Sequence, residues 1–253
     1  MLPMQGRSPI INVSSNACIL AGKKILKDFL EIENLQVSKK DTSKFISKTL
    51  INLERSIKEC LEKARPEWPV NPSKIDNYKD AWIVNILSGK INFAHGIPHI
   101  AISIASFNNR KITSGCIYDP IRKELFYCET GKGSYLNEKR IRVSGRDLIM
   151  KSLINFGLNS LELNIIEKLK LSGSQIRISG CAALDLAWVA SGRTDAYLNK
   201  IDLFEYSAGV ILVREAGGFC TDFSMAENMI NKKEICAANP SMHNNVIKII
   251  RNT

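Results

Sequence analysis

Apolar residues recur along the N-terminal third at intervals of three and four. Cys18, Ala21, Ile25 and Phe29 share one face of a helix expected over residues 10–30. Ile46, Leu50, Leu53, Ile57 and Leu61 mark a second helix that stops near Pro66. The following stretch, PEWPVNPSKIDNYKD, holds Pro66, Pro69 and Pro72 and reads as an exposed loop. From Ala81 to about Val143 the period shortens to two. HIAISIASF, GCIYDP and KELFYCETGKGSYLN predict an antiparallel meander with a hairpin near Gly131-Lys132-Gly133. Beyond Ser144, strands and helices alternate. SLINFG, QIRIS, TDAYL and EICAAN read as strands, interleaved with helices at 160–171, GCAALDLAWVASG, FEYSAGVILVREAGG and 240–250. Gly217-Gly218 ends the third of these helices. An α+β half, 1–145, thus joins an α/β half, 146–253, with no internal repeat and no low-complexity segment.

Composition narrows the class. With 45% hydrophobic and 24% charged residues the chain is an ordinary globular one. Its apolar runs end well before the roughly 20 residues of a membrane span. Met1 to Ile10 carries no apolar signal core, so a cytoplasmic protein without a membrane partner is expected. The seven cysteines are scattered and odd in number, which argues for buried, reduced thiols over a disulfide framework or a structural zinc. A net charge of +10 fits either a solvated basic surface or a patch for RNA, DNA or an acidic partner.

Candidate chemistry concentrates in NILSGKINFAHGIPH, residues 85–99, read as a loop between the apolar runs Trp82-Ile83-Val84 and Ile100–Ile104. It holds a glycine at the start of an expected helical turn, no carboxylate, and Lys90. The Gly131-Lys132-Gly133 triplet lacks the Walker spacing and is read as a turn. His95 and His99 lie four apart, but Gly96 and Pro98 interrupt any helix that would align them on a metal. Packing or hydrogen bonding is the expectation for both. Structural roles are expected for Asp185 and Asp195.

WIVNILSGKINFAHGIPHIAISIA, GCIYDPIRKELFYCETGKGSYLNEKRIRVSGR and GCAALDLAWVASGRTDAYL…FEYSAGVILVREAGG follow one another in an order that resembles the inositol monophosphatase family, in particular its bacterial SuhB-type branch. The resemblance spans nearly the whole chain and is thinnest at 66–80 and 155–175. It implies a layered α-β-α-β-α sandwich, a homodimer, and hydrolysis of inositol phosphate monoesters by two or three Mg²⁺ ions, with a metal-activated water attacking phosphorus.

The positions that carry this chemistry in the family are altered here. The motif Asp-Pro-x-Asp-Gly-Thr-x-Asn-Phe reads NILSGKINF. Asn85 replaces the first metal-binding Asp, Ser88 the bridging Asp, and Lys90 the Thr that orients water. Leu87 stands where the resemblance implies a backbone carbonyl ligand, which it can still lend. Leu50 stands where the water-activating Asp is implied, and PVNPSKID replaces a Gly-Glu-Glu loop. Phe204-Glu205 replaces Trp-Asp, placing the carboxylate one methylene farther out. A substrate-contacting Glu falls near Asn199.

Magnesium requires clustered anionic oxygens. Adjacent unit charges interact by roughly 4 kcal/mol at an effective dielectric near 20, so several lost attractions and one added ammonium forfeit metal binding. The expectation is a degenerate enzyme with no intact catalytic residue and no Mg²⁺ site. Lys90 would stand in for a cation, and the amides of Gly89, Lys90 and Ile91 would face a phosphate-like anion. A phosphatase with a remodelled, metal-poor site is the alternative, with His95 as a candidate base. A transcription- or RNA-associated basic protein is another.

Overall fold

The computed structural model describes residues 7–37, 43–157 and 163–251. Helices α1 (Pro9–Val37) and α2 (Ser43–Ala64) lie together on one face of a six-stranded sheet. The expected stripes are buried: Cys18, Ala21, Ile25 and Phe29 from α1 pack with Leu53, Ile57 and Leu61 from α2. Helix α1 runs longer than its expected stripe: Ile32 extends the buried face beyond Phe29, and residues 23–37 hold no Gly or Pro to stop the helix.

The first sheet is an antiparallel meander in sequence order, β1 (Ala81–Ser88), β2 (Ala101–Asn108), β3 (Lys111–Asp119), β4 (Glu124–Glu129), β5 (Gly133–Leu136) and β6 (Lys139–Ile141). Its hairpin at Gly131-Lys132-Gly133 falls where the turn residues place it. Strand β2 is buried on both faces, since helices cover each side of the sheet. Between β1 and β2 comes α3 (Lys90–Ala94).

Two expectations need correction. The proline-rich segment is not simply exposed: Trp68 and Ile75 are buried, and the Trp68 and Trp82 rings meet at 5.1 Å. Val70 forms a parallel bridge with Trp82, so the segment is tied to the edge of the sheet. Residues 85–88 are also not loop; they are the last four residues of β1, with a register break against β2 between Asn85 and Ser88. This irregularity turns the strand end away from its partner and toward the second half of the chain.

That half contains β7 (Leu153–Phe156), α4 (Leu163–Leu171), β8 (Gln175–Arg177), α5 (Ala182–Ala190), β9 (Ala196–Lys200), α6 (Leu203–Glu215), β10 (Phe219–Thr221), α7 (Met229–Lys232), β11 (Glu234–Ala238) and α8 (Pro240–Arg251). The second sheet, ordered β10-β11-β9-β7-β8, is the mixed one: β7 is parallel to β8 and β9, whereas β11 is antiparallel to β9 and β10. Residues 160–162 of the helix expected at 160–171 lie outside the described residues, and α4 covers the rest.

Helices α5 and α6 fill the space between the two sheets, and α4 and α8 cover the far face of the second. The result is the layered α-β-α-β-α sandwich. Being central, α5 and α6 are buried nearly all round, which matches their lack of a polar stripe. All seven cysteines are free and six are buried. Among the described residues no helix is long and apolar enough to cross a membrane.

Candidate functional site

Parallel strands β7 and β9 run to the same edge of the second sheet, where Gly157, just past β7, lies against Asn199 of β9. Helices α5 and α6 begin there, and the irregular end of β1 arrives from the first sheet. These elements enclose a cleft of about 260 Å³ lined by both separated sequence motifs, including Asn85, Ser88, Lys90, Asp185, Asn199 and Glu205. A crevice beyond the carboxyl ends of strands is the usual binding position in such sheets. Two helix N-termini facing it add positive partial charge.

Local geometry is set by a few contacts. Gly89 has φ +86°, a conformation that costs glycine little, and an added Cβ would lie 2.8 Å from the His99 carbonyl oxygen. The Asn92 amide donates to the carbonyls of His99 at 2.8 Å and Ser179 at 2.9 Å, fastening α3 to the approach of α5. At Gly157 an added Cβ would overlap the Asn199 amide at 1.8 Å, so glycine is what lets that side chain lie across the cleft floor.

The polar atoms at the altered positions are already engaged. The Leu87 amide donates to Asn85 Oδ1 at 3.2 Å, and the Ala183 amide donates to Ser88 Oγ at 3.2 Å. Asn199 donates to the Tyr197 hydroxyl at 2.7 Å and accepts from the Lys200 amide at 2.8 Å. The groups standing where metal-binding or substrate-contacting carboxylates are implied therefore bind the protein's own frame.

Two carboxyls line the cleft. Glu205 sits in the first turn of α6, where the helix favours an acid. It keeps solvent contact; burial nonetheless raises its pKa above the usual range, and the nearby Lys90 ammonium draws it partly back. Among the described residues no ion pair within 4.0 Å involves Lys90, so the two charges share the cleft without touching.

Asp185 is 1% exposed and accepts hydrogen bonds from Asn155 at 2.9 Å and Ser179 at 2.7 Å. Burial pushes its pKa up to about 7, and the Ser179 bond only partly opposes this. Sequence reasoning assigned it structure alone. An apolar helix buried on every side offers no stripe to show which face meets a cleft. Its single acid in the first turn of α5 was the available signal.

Leu87, Gly89 and Ile91 also line the cleft; Leu50, His95, His99 and Asp195 lie apart from it. Leu50 is half-buried in the core beneath α1 and α2. His95 is exposed, so of packing and hydrogen bonding, the two roles expected for it, packing does not apply. His99 does pack, edge-on to Trp188 at 5.0 Å. Asp195 is buried and structural: it accepts from Ser144 and Arg146, both at 2.6 Å, and from the Leu153 amide at 2.8 Å.

The donor set does not fit magnesium. Among the described residues no group of three or more His, Cys, Asp or Glu side chains could hold a metal ion. In the cleft a lysine accompanies the two acids, and one of those acids is buried with a pKa near neutrality.

A layered sandwich with its cleft at this junction defines a class of phosphatase-type scaffold. The family model for the inositol monophosphatase family matches residues 7–253. An inositol-1-monophosphatase from Mesorhizobium japonicum is 34% identical, covering 97% of each chain. A protein called Nus factor SuhB from Xylella fastidiosa is 34% identical over 87% of this chain and 84% of its own. The crystal structure of extragenic suppressor protein suhB from Bartonella henselae superposes with a TM-score of 0.87 at 34% identity, covering 97% of this chain and 99% of that one. The chain belongs to the inositol monophosphatase family.

Proposed function

We propose that this chain is a catalytically degenerate family member that uses its cleft for binding or regulation. The observation carrying this reading is the chemistry of the cleft wall. Asn85 and Ser88 are neutral and held by backbone amides, while Lys90 introduces a cation. A wall with a lysine and two helix N-termini favours a phosphate-like anion more than it favours Mg²⁺. Lys90 then acts as the anion's counter-charge, together with the amides of Gly89 and Ile91.

An assay with inositol 1-phosphate and an aryl phosphate, with and without Mg²⁺, tests this directly. No metal-dependent turnover above background is expected. Lithium-sensitive turnover at the rate of an ordinary inositol monophosphatase overturns the reading.

A second reading, an active phosphatase with a remodelled, metal-poor site, is favoured by Asp185 alone. A carboxyl that exchanges its proton near neutrality suits general acid–base work. His95, the base considered from sequence, is exposed and does not line the cleft. Metal-independent turnover lost in Asp185→Asn would support this alternative. The relatives called Nus factor SuhB favour a transcription-associated partner for the binding role. A homodimer in the cytoplasm belongs to the same reading.

A further inference from the structure

A second cavity, of about 560 Å³, opens on the other side of α6 and lies within the size range of small-molecule sites. Leu203, Tyr206, Val210 and Arg214 follow one another along a single helical face and form one wall. Met229 and Ile230 of α7 form another, and Ile112 and Thr113 of β3 complete the enclosure. The lining is mainly apolar, and Ile230 is 49% exposed within it.

Two features point to a ligand. Tyr206 is 1% exposed, and its hydroxyl has no hydrogen-bond partner in the protein, an uncommon condition for a buried donor. The rim also carries an imbalance of charge. Glu215 is occupied by the amides of Gly131 and Gly133, at 3.0 and 2.9 Å, and Glu227 is paired with Arg214 at 3.0 Å. Arg110 and Lys111, exposed at the β2–β3 turn, make no ion pair among those described. An apolar interior beneath two uncommitted cations complements a molecule with an apolar body and an anionic head.

We infer that this cavity binds an amphipathic carboxylate, its acyl or aryl body against α6 and α7 and its head toward Arg110 and Lys111. The site is separate from the cleft, so it stands whether or not the latter retains catalysis. Calorimetric titration of the full chain with octanoate, and with octanol as the uncharged control, tests it. Saturable one-to-one octanoate binding is expected, at least about tenfold tighter than octanol. The double variant Arg110→Glu/Lys111→Glu removes that preference, and Ile230→Trp, which fills the mouth, weakens both probes. Thermal melts confirm that both variants fold, as expected for changes at exposed positions. Absence of saturable octanoate binding, or binding unaffected by both variants, overturns the inference.

Discussion

Asp195→Ala is expected to lower the free energy of unfolding by about 2–4 kcal/mol, the cost of leaving two inward-facing donors without their acceptor. The Asp195 side chain is wholly buried and gathers three donors from separate stretches of chain: Ser144, Arg146 and the Leu153 backbone. These contacts join the end of the first sheet's connection to β7 and to the start of β9. The Asp195 amide in turn donates to the Leu153 carbonyl at 2.8 Å. Removing the carboxylate strands the Leu153 amide and the Ser144 hydroxyl, each of which then lacks its acceptor. Arg146 retains its bond to the Gly192 carbonyl and is partly exposed, which places the loss below that of a fully buried arginine. Urea denaturation of wild type and variant measures the difference. A change under 1 kcal/mol would show that the network contributes little.

Asp185→Asn is expected to stabilise the protein at alkaline pH and to remove much of its acid-side pH dependence. The carboxyl moves from an ordinary 3.8 in the unfolded chain to about 7 in the folded one. Between those values the folded state holds a proton that the unfolded state has released, so stability falls as pH rises through this window. Below it both states are protonated and the loss is absent; above about pH 7 both are ionised and the loss is complete. A shift of about three units corresponds to roughly 4 kcal/mol, an upper figure for one group. Asparagine keeps an oxygen for Asn155 and Ser179 but never ionises. Melting curves at pH 4 and pH 8 should therefore show the variant's advantage small in acid and largest in base. Equal pH dependence in both would place the titration elsewhere.

The fold was legible wherever a period met a single buried face. The stripes of α1 and α2 and the alternation of the meander are such cases, and one of its turns, Gly131-Lys132-Gly133, was marked by glycine. Trp68 and Ile75 were hidden because three prolines signal a loop without saying what the loop packs on. Strand β10 and helix α7, three and four residues long, are too short to carry a period. The cleft was legible as two motifs destined to meet. Its chemistry was less so. That Ser88 spends its hydroxyl on α5, or that Asn199 lies over Gly157, depends on contacts between residues far apart in the chain. The neutral and cationic substitutions were readable from residue type alone, whereas the near-neutral Asp185 arises from burial that no local pattern encodes.

The proposed function rests on that inventory. The sandwich packs to form a cleft, and Asn85 and Ser88 inside it accept from backbone amides beside the Lys90 ammonium. Calorimetric titration with Mg²⁺, with and without inorganic phosphate, examines this most directly. The expected result is no saturable heat from Mg²⁺ at millimolar concentration, in either condition. Saturable Mg²⁺ binding that disappears in Glu205→Gln would contradict it, because it would mean that the remaining acids still gather a divalent cation beside Lys90.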